Sequence, residues 1–183
     1  MKSQPSITFE ESDTLISIVG LGSNQDSRNG SKLEIICKAI NSLEELSSRP
    51  SIISSFYESE PEFCPPDSPI FVNLVAVLFL PVNAEPMRFF RCVQKLEKRL
   101  GRVRSREIND PRPIDIDLLF FGKKSISSDY LTIPHPRAVK RRFVLEPLAE
   151  IAPDLILPGQ EFSVVELLSR LPNNGWVRKF QPT

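Results

Sequence analysis

The chain has 183 residues, 40% hydrophobic and 25% charged, the size and composition of one ordinary soluble domain with a substantial core. Its 23 basic and 23 acidic residues cancel, so nothing global attracts a polyanion such as DNA, and no apolar run approaches the roughly 18 residues of a membrane helix. Cys37, Cys64 and Cys92 are odd in number, widely spaced and free of any CxxC pair, which argues against a disulfide framework or structural zinc and for a reducing compartment, the cytosol by default.

Residues 1–14 read as a polar leader: Glu10, Glu11 and Asp13 against Lys2 fit neither a signal sequence nor a transit peptide. Residues 15–183 read as a single domain. Leu15 to Leu21 is an apolar run ending in Gly22-Ser23-Asn24, a buried strand running into a tight turn. Leu33, Ile36, Ile40 and Leu43 then recur at helical spacing with Cys37 on the same stripe, predicting a helix over Ser31 to Leu46. Ser51 to Glu60 and Phe71 to Leu80 are strand-like on either side of a Pro-rich loop from Pro61 to Pro69. Phe89, Val93, Leu96 and Leu100 mark a second amphipathic helix, which Gly101 terminates.

Arg112 to Gly122 reads Arg-Pro-Ile-Asp-Ile-Asp-Leu-Leu-Phe-Phe-Gly, a largely buried strand. Alternate strand residues share a face and advance about 3.3 Å each, so Asp115 and Asp117 lie roughly 6.6 Å apart along one side, which Leu119 and Phe121 continue. Carboxylates where a face turns apolar are costly unless paired or metal-bound. Arg102, Arg104, Arg106 and Arg112 upstream supply complementary charge, and carboxylates with arginines suggest a magnesium-polyphosphate site. Beyond Gly122 the chain turns irregular, with Pro134-His135-Pro136 and a basic run from Arg137 to Arg142. A short helix follows over Phe143 to Ala152, then another, or a helix beside a short strand, over Phe162 to Leu171. The order β-α-β-β-α-β is that of a ferredoxin-like α+β sandwich, an antiparallel sheet with both helices on one face, here with a C-terminal extension.

These motifs resemble the 6-hydroxymethyl-7,8-dihydropterin pyrophosphokinases of folate biosynthesis. The resemblance rests on Gly22-Ser23-Asn24, Ser54-Ser55-Phe56-Tyr57, Phe71-Val72-Asn73, Gly101-Arg102-Val103-Arg104, Pro111 to Asp117, Pro134-His135 and Arg141-Arg142-Phe143, in order along most of the chain. It implies transfer of the β,γ-diphosphoryl group of ATP, the co-substrate, to the pterin hydroxymethyl oxygen, with release of AMP. Asp115 and Asp117 then hold two magnesium ions, and Arg102 and Arg112 are catalytic arginines on the phosphates. Gln94, Arg104, Leu118, Thr132, His135 and Arg141 fall at ATP-binding positions, and Glu97 at an acidic position near the metals. Phe71 and Phe143 match aromatics that stack the pterin, Asn73 an amide that binds its edge, and Gly22, Ser59 and Glu62 positions that present backbone groups to it.

The loop from Gly101 to Pro111 corresponds to a mobile lid, where Ile108-Asn109-Asp110 depart from the family's usual basic residue, large side chain and Gly. Glu60 and Glu62 stand where Pro and Leu are usual. Some relatives of the family are fused to dihydropteroate synthase or dihydroneopterin aldolase, which makes these possible partners by resemblance. Two other readings compete: a catalytically weakened relative serving as a structural or partner-binding domain, and an RNA-binding module of the same strand order.

Overall fold

The structure, a computed structural model, describes residues 7–9, 13–65, 67–103, 110–172 and 175–182. The predicted elements form close to their expected bounds: β1 (Thr14–Ser23), α1 (Lys32–Glu44), β2 (Ile52–Ile53), β3 (Phe56–Ser59), β4 (Phe71–Pro81), α2 (Pro86–Arg99) and β5 (Asp115–Phe121). Local chemistry sets these limits. Ser31 and Glu34 make a capping box, with Ser31 N donating to Glu34 Oε2 at 2.8 Å, while Pro86 opens α2 and Gly101, at φ +101°, stops it. On α1 the buried stripe is Ile35, Ile36, Ala39, Ile40 and Leu43; Cys37, expected on it, is exposed.

The expected strand over Ser51 to Glu60 is split. Ser54 exchanges a backbone bond with Val75 O and accepts from Val75 N through its hydroxyl, both at 3.0 Å, so the side chain fills a rung of the ladder where the chain bends. Beyond β5 come a small hairpin of β6 (Ile126–Ser127) and β7 (Thr132–Ile133), then α3 (Arg142–Ile151), α4 (Val164–Arg170) and β8 (Val177–Phe180). Strand β8, absent from the sequence expectation, pairs with β3 and extends the antiparallel sheet to the order β5-β1-β4-β3-β8, with β2 also on β4.

Strand β4 is buried from Phe71 to Leu80 because both its faces are covered. Val72, Leu74, Ala76, Leu78 and Leu80 pack toward α1 and α2; Val75, Val77 and Phe79 pack toward Val144, Leu145 and Leu148 of α3 and Val164 of α4. Each fully buried aliphatic side chain here contributes about 1.5–3 kcal/mol. Ile7, in the expected polar leader, joins the α3 side of the core. The α1 and α2 layer is the predicted one; the second layer, from the C-terminal extension, covers the face on which an RNA-recognition domain stacks bases, except at the ends of β1, β4 and β5.

Phe121 does not share the face of Asp115 and Asp117. The β1–β5 register shifts between Ile18, opposite Phe120, and Val19, opposite Leu118, so Leu119 is an extra residue in the pair. After this bulge the alternation is displaced: Leu119 and Phe120 both face α3, while Phe121 joins the α1 and α2 core.

The α3 layer is tied to the sheet by Glu150. Its carboxylate accepts from Ser55 N at 2.9 Å, Ser55 Oγ at 2.7 Å, Tyr57 Oη at 3.1 Å and Lys179 Nζ at 2.7 Å, joining α3 to β3 and β8. Burial alone would raise its pKa, but the bonds from Lys179, Ser55 and Tyr57 outweigh that and hold it below the ordinary value. A carboxyl depressed in the folded state stabilises above its unfolded pKa, and that stability is lost as pH falls through the lower folded value. Glu150→Ala should therefore cost about 1–3 kcal/mol in urea unfolding at neutral pH. The deficit relative to the parent should shrink as pH drops below the ordinary value of 4.5; a pH-independent deficit would show that the charge contributes nothing.

Candidate active site

On the α3 side of the sheet, where the helices leave the ends of β1, β4 and β5 uncovered, lies a cleft of about 490 Å³. Gly20 and Gly22 of β1 form part of its lining. A Cβ on Gly22 would stand 3.1 Å from Asn73 Oδ1 and 3.6 Å from Phe71 Cδ1, so the missing side chain gives the Asn73 amide its place. Asn73, opposite Gly22 in the register, donates from Nδ2 to Ser59 Oγ at 3.0 Å. Phe71, Asn73 and Ser59 are each at most 8% exposed, and Phe143 of α3 joins the lining.

Charge occupies the β5 end. Asp115 is clamped by two guanidiniums: Arg102 Nη1 contacts Oδ1, and Arg112 Nε lies 2.8 Å from Oδ2. The second contact is an ion pair by distance but not aligned as a hydrogen bond, which leaves the buried Arg112 Nε without a hydrogen-bond partner. Arg102 also pairs with Glu97, a residue 5% exposed that accepts from Ile116 N at 2.9 Å. The end of α2 is thereby stapled to β5. Burial raises the Glu97 pKa against the opposing pull of Arg102; burial would lower that of Arg102, but Asp115 and Glu97 raise it above its ordinary value.

Asp117 faces the cleft with its side chain 35% exposed, and Arg141 Nη1 lies 3.5 Å from its Oδ2. Crowding by protein, then the charge of Asp115, push its pKa up, against the pull of His135 and Arg141. Rings and charges meet at two points: the Arg112 guanidinium lies 5.4 Å from the Phe71 centroid, and that of Arg141 lies 5.1 Å from the Phe143 centroid.

The cleft thus gathers Gly22, Ser59, Glu62, Phe71, Asn73, Arg102, Arg112, Asp115, Asp117, Arg141 and Phe143 of the predicted site residues. Others stand apart. Leu118 is 4% exposed and packs in the core beneath α1 and α2, so its side chain does not line the cleft. Gln94 lines a neighbouring depression beside α2 that shares Arg102 and Val103 with the cleft, and Thr132 is exposed on the small hairpin. His135 is half-buried, its backbone N–H donating to Leu119 O at 2.9 Å; burial lowers its pKa against the pull of Asp117. Arg104, Arg106, Ile108 and Asn109 lie outside the described residues.

Two contributors were not singled out from the sequence. Arg137 lines the cleft, hidden within an undifferentiated basic run. Asn24, 2% exposed, accepts from Arg112 N at 2.8 Å and donates to Pro69 O at 3.3 Å, clamping the Arg112 segment and the Pro-rich loop together. Its signal was the Asn closing the Gly-Ser-Asn turn.

Fold and site together define a ferredoxin-like α+β domain with a cleft that sets an amide and two aromatic rings beside paired carboxylates and arginines. The chain belongs to the 7,8-dihydro-6-hydroxymethylpterin-pyrophosphokinase (HPPK) family, which it matches over residues 18–153. It is 34% identical over 161 residues to the 2-amino-4-hydroxy-6-hydroxymethyldihydropteridine pyrophosphokinase of Haemophilus influenzae, covering 87% of this chain and 95% of that protein. The protein of the same name from Pseudomonas aeruginosa is 38% identical over 158 residues, covering 86% and 92%. It is also 35% identical over 153 residues to the folic acid synthesis protein fol1 of Pneumocystis carinii, covering 84% of this chain and only 20% of that much longer protein. Among solved structures, wild-type Plasmodium falciparum HPPK-DHPS superposes with a TM-score of 0.63 at 16% identity, over 88% of this chain and 45% of that one, a likeness of fold.

Glu97 is the support on which the charged end rests. Glu97→Ala should leave Ile116 N–H unpaired and Arg102 short of one counter-charge, costing about 2–4 kcal/mol in denaturant unfolding. A loss under about 0.5 kcal/mol would mean the staple is not structural.

Proposed function

We propose that this chain transfers diphosphate from ATP to the hydroxymethyl group of 6-hydroxymethyl-7,8-dihydropterin, releasing AMP. The observation that carries the reading is the joining of two chemistries in one cleft. A flat heteroaromatic ring needs faces to stack on and partners for its edge, which Phe71, Phe143, Asn73 and Ser59 supply. A polyphosphate needs fixed cations, which Arg102, Arg112 and Arg141 supply at the adjoining end. Arg112 lies beside Phe71 and Arg141 beside Phe143, so the two ends adjoin, which supports a reaction between a ring-bound hydroxymethyl oxygen and a neighbouring phosphate. Family membership and the names of the Haemophilus and Pseudomonas relatives support the same assignment.

Magnesium fits this donor set. Among the described residues no cluster of three or more His, Cys, Asp or Glu side chains gathers to hold an ion alone. Magnesium instead uses one or two carboxylates and completes its shell with water and substrate phosphates, so Asp117 and Asp115 are the residues that would hold it, Asp115 exchanging a contact with Arg102 or Arg112 for the ion as those arginines turn to phosphate. When bound it would neutralise phosphate charge and fix the transferred group for in-line attack. The protein's own part is positional. Asp115 and Asp117 present their charge to the nucleotide end, the arginines hold phosphate oxygens, and Asn73 orients the pterin so that its hydroxymethyl oxygen faces them. Gln94, Thr132 and His135, outside the cleft lining, are assigned to the nucleotide's distal part, and Leu118 through its backbone alone. Fusion or association with dihydropteroate synthase or dihydroneopterin aldolase belongs to the same proposal; the HPPK-DHPS chain supports the first, and a relative named a folate synthesis bifunctional protein supports a second folate activity beside this one.

In an assay of AMP formation dependent on the hydroxymethylpterin, at saturating magnesium, Asp117→Asn should lower turnover by at least about a hundredfold with the melting temperature little changed, since volume is kept and charge removed. Activity within about tenfold of the parent would remove the pair from the metal role. Absence of any parental activity would favour the non-catalytic relative instead.

Asn73→Leu should weaken pterin binding by about 2 kcal/mol or more, because the ligand's edge loses its partners, while leaving nucleotide affinity intact. Calorimetric titration with each ligand separates the cases; equal loss of both would indicate a disturbed sheet.

A further inference from the structure

Glu62 lies in the Pro-rich loop, and its side chain is 38% exposed at the cleft. Its Oε2 accepts from Arg141 Nε at 3.2 Å, while Arg141 Nη1 turns to Asp117 Oδ2 at 3.5 Å. Arg141 is 11% exposed, and besides these two carboxylates it faces the Phe143 ring and the like charge of Arg137. A guanidinium has two edges that can grip an oxyanion with paired N–H groups: the side edge, which includes Nε, and the end edge, which includes Nη1. Here each edge has one donor committed to a carboxylate. An arriving phosphate gains a full two-pronged grip only if one of them yields. Asp117 is the candidate metal holder; Glu62 has no such role, and its loop carries it into the phosphate end from outside.

We propose that Glu62 is an internal competitor for nucleotide phosphate at Arg141, its carboxylate occupying the Nε edge in the free protein and setting nucleotide affinity. This rests on the reading that polyphosphate binds the arginine end of the cleft. Displacing Glu62 sends its carboxylate to water, which its exposure makes cheap. The competition therefore lowers affinity without blocking the site.

The test is calorimetric titration of a non-hydrolysable ATP analogue with magnesium into the parent, Glu62→Gln, Arg141→Gln and the double variant. Glu62→Gln should bind about three- to fivefold more tightly than the parent, the scale of a half-exposed ion pair. In the Arg141→Gln background the same change should bring no gain. Unchanged or weaker binding in Glu62→Gln overturns the proposal, because the carboxylate would then be neutral or would orient Arg141 for the ligand. An equal gain in both backgrounds also overturns it, since the charge would be acting on the whole cleft. If neither the parent nor Glu62→Gln binds the analogue, the nucleotide reading itself falls, a result distinct from binding that the substitution leaves untouched. A Glu62→Asp arm keeps the charge while shortening its reach, and tightening there smaller than in Glu62→Gln is the further expected result; tightening equal to Glu62→Gln would support loss of contact, and none at all would tie the effect to charge alone and overturn the pairing.

Discussion

Asp115 sits at the start of a strand that is fully buried from Leu118 to Phe121, and the free-energy cost of a carboxylate there organises the cleft around it. Arg102 and Arg112 contact its two oxygens, and Arg102 is in turn held by Glu97. At 5% exposure burial raises the Glu97 pKa, and Arg102 together with the Ile116 N–H that it accepts oppose that rise. Every charge in this chain of contacts compensates another, so removing one leaves its neighbour uncompensated. In the function proposed above the same groups would receive a metal-bound polyphosphate, so support of the cleft and recognition of its ligand would draw on one set of side chains.

Room for a ligand comes from what the sheet omits. Gly20 and Gly22 remove side chains from β1 where Asn73 and the carboxylates of β5 approach it, and α3 closes the side through Phe143 without covering the floor. The bulge at Leu119 ends the regular run that began with Asp115 and Asp117. It leaves the Leu119 carbonyl free to receive the His135 N–H, which brings the Pro134-His135 segment against the strand's outer edge. Asn24 fastens two cleft-lining segments to the first turn. The second helical layer matters as much: α3 and α4 cover the far face apart from the cleft, and the RNA-binding reading would need that face as an open platform for bases.

Much of the fold is legible in the sequence. Helix α2 and strands β1, β4 and β5 follow from hydrophobic period, and the limits of the helices from Ser31, Pro86 and Gly101, because burial of one face and capping of one end are local requirements. The carboxylate pair was legible because a period of two puts Asp115 and Asp117 on one side. Strand β8 was not: Val177 to Phe180 has two cations at its centre and only its pairing with β3 makes it a strand. Cys37 misled because it falls one position off the buried stripe of α1, and Phe121 because strand period does not foresee a bulge.

The amino-acid sequence by itself determined the α+β order, the helix limits, the aligned carboxylates and the family to which the chain belongs, since each depends on residues close together or on motifs kept in order. Only the tertiary structure decided that Glu97 is buried against Ile116, that Glu62 meets Arg141, that Leu118 points into the core and that α3 and α4 cover the sheet's second face. Those outcomes depend on groups 19 and 79 positions apart finding each other, as the Glu97 carboxylate with the Ile116 N–H and Glu62 with Arg141 do. Such meetings are fixed by how the layers pack, and a hydrophobic period carries no record of them.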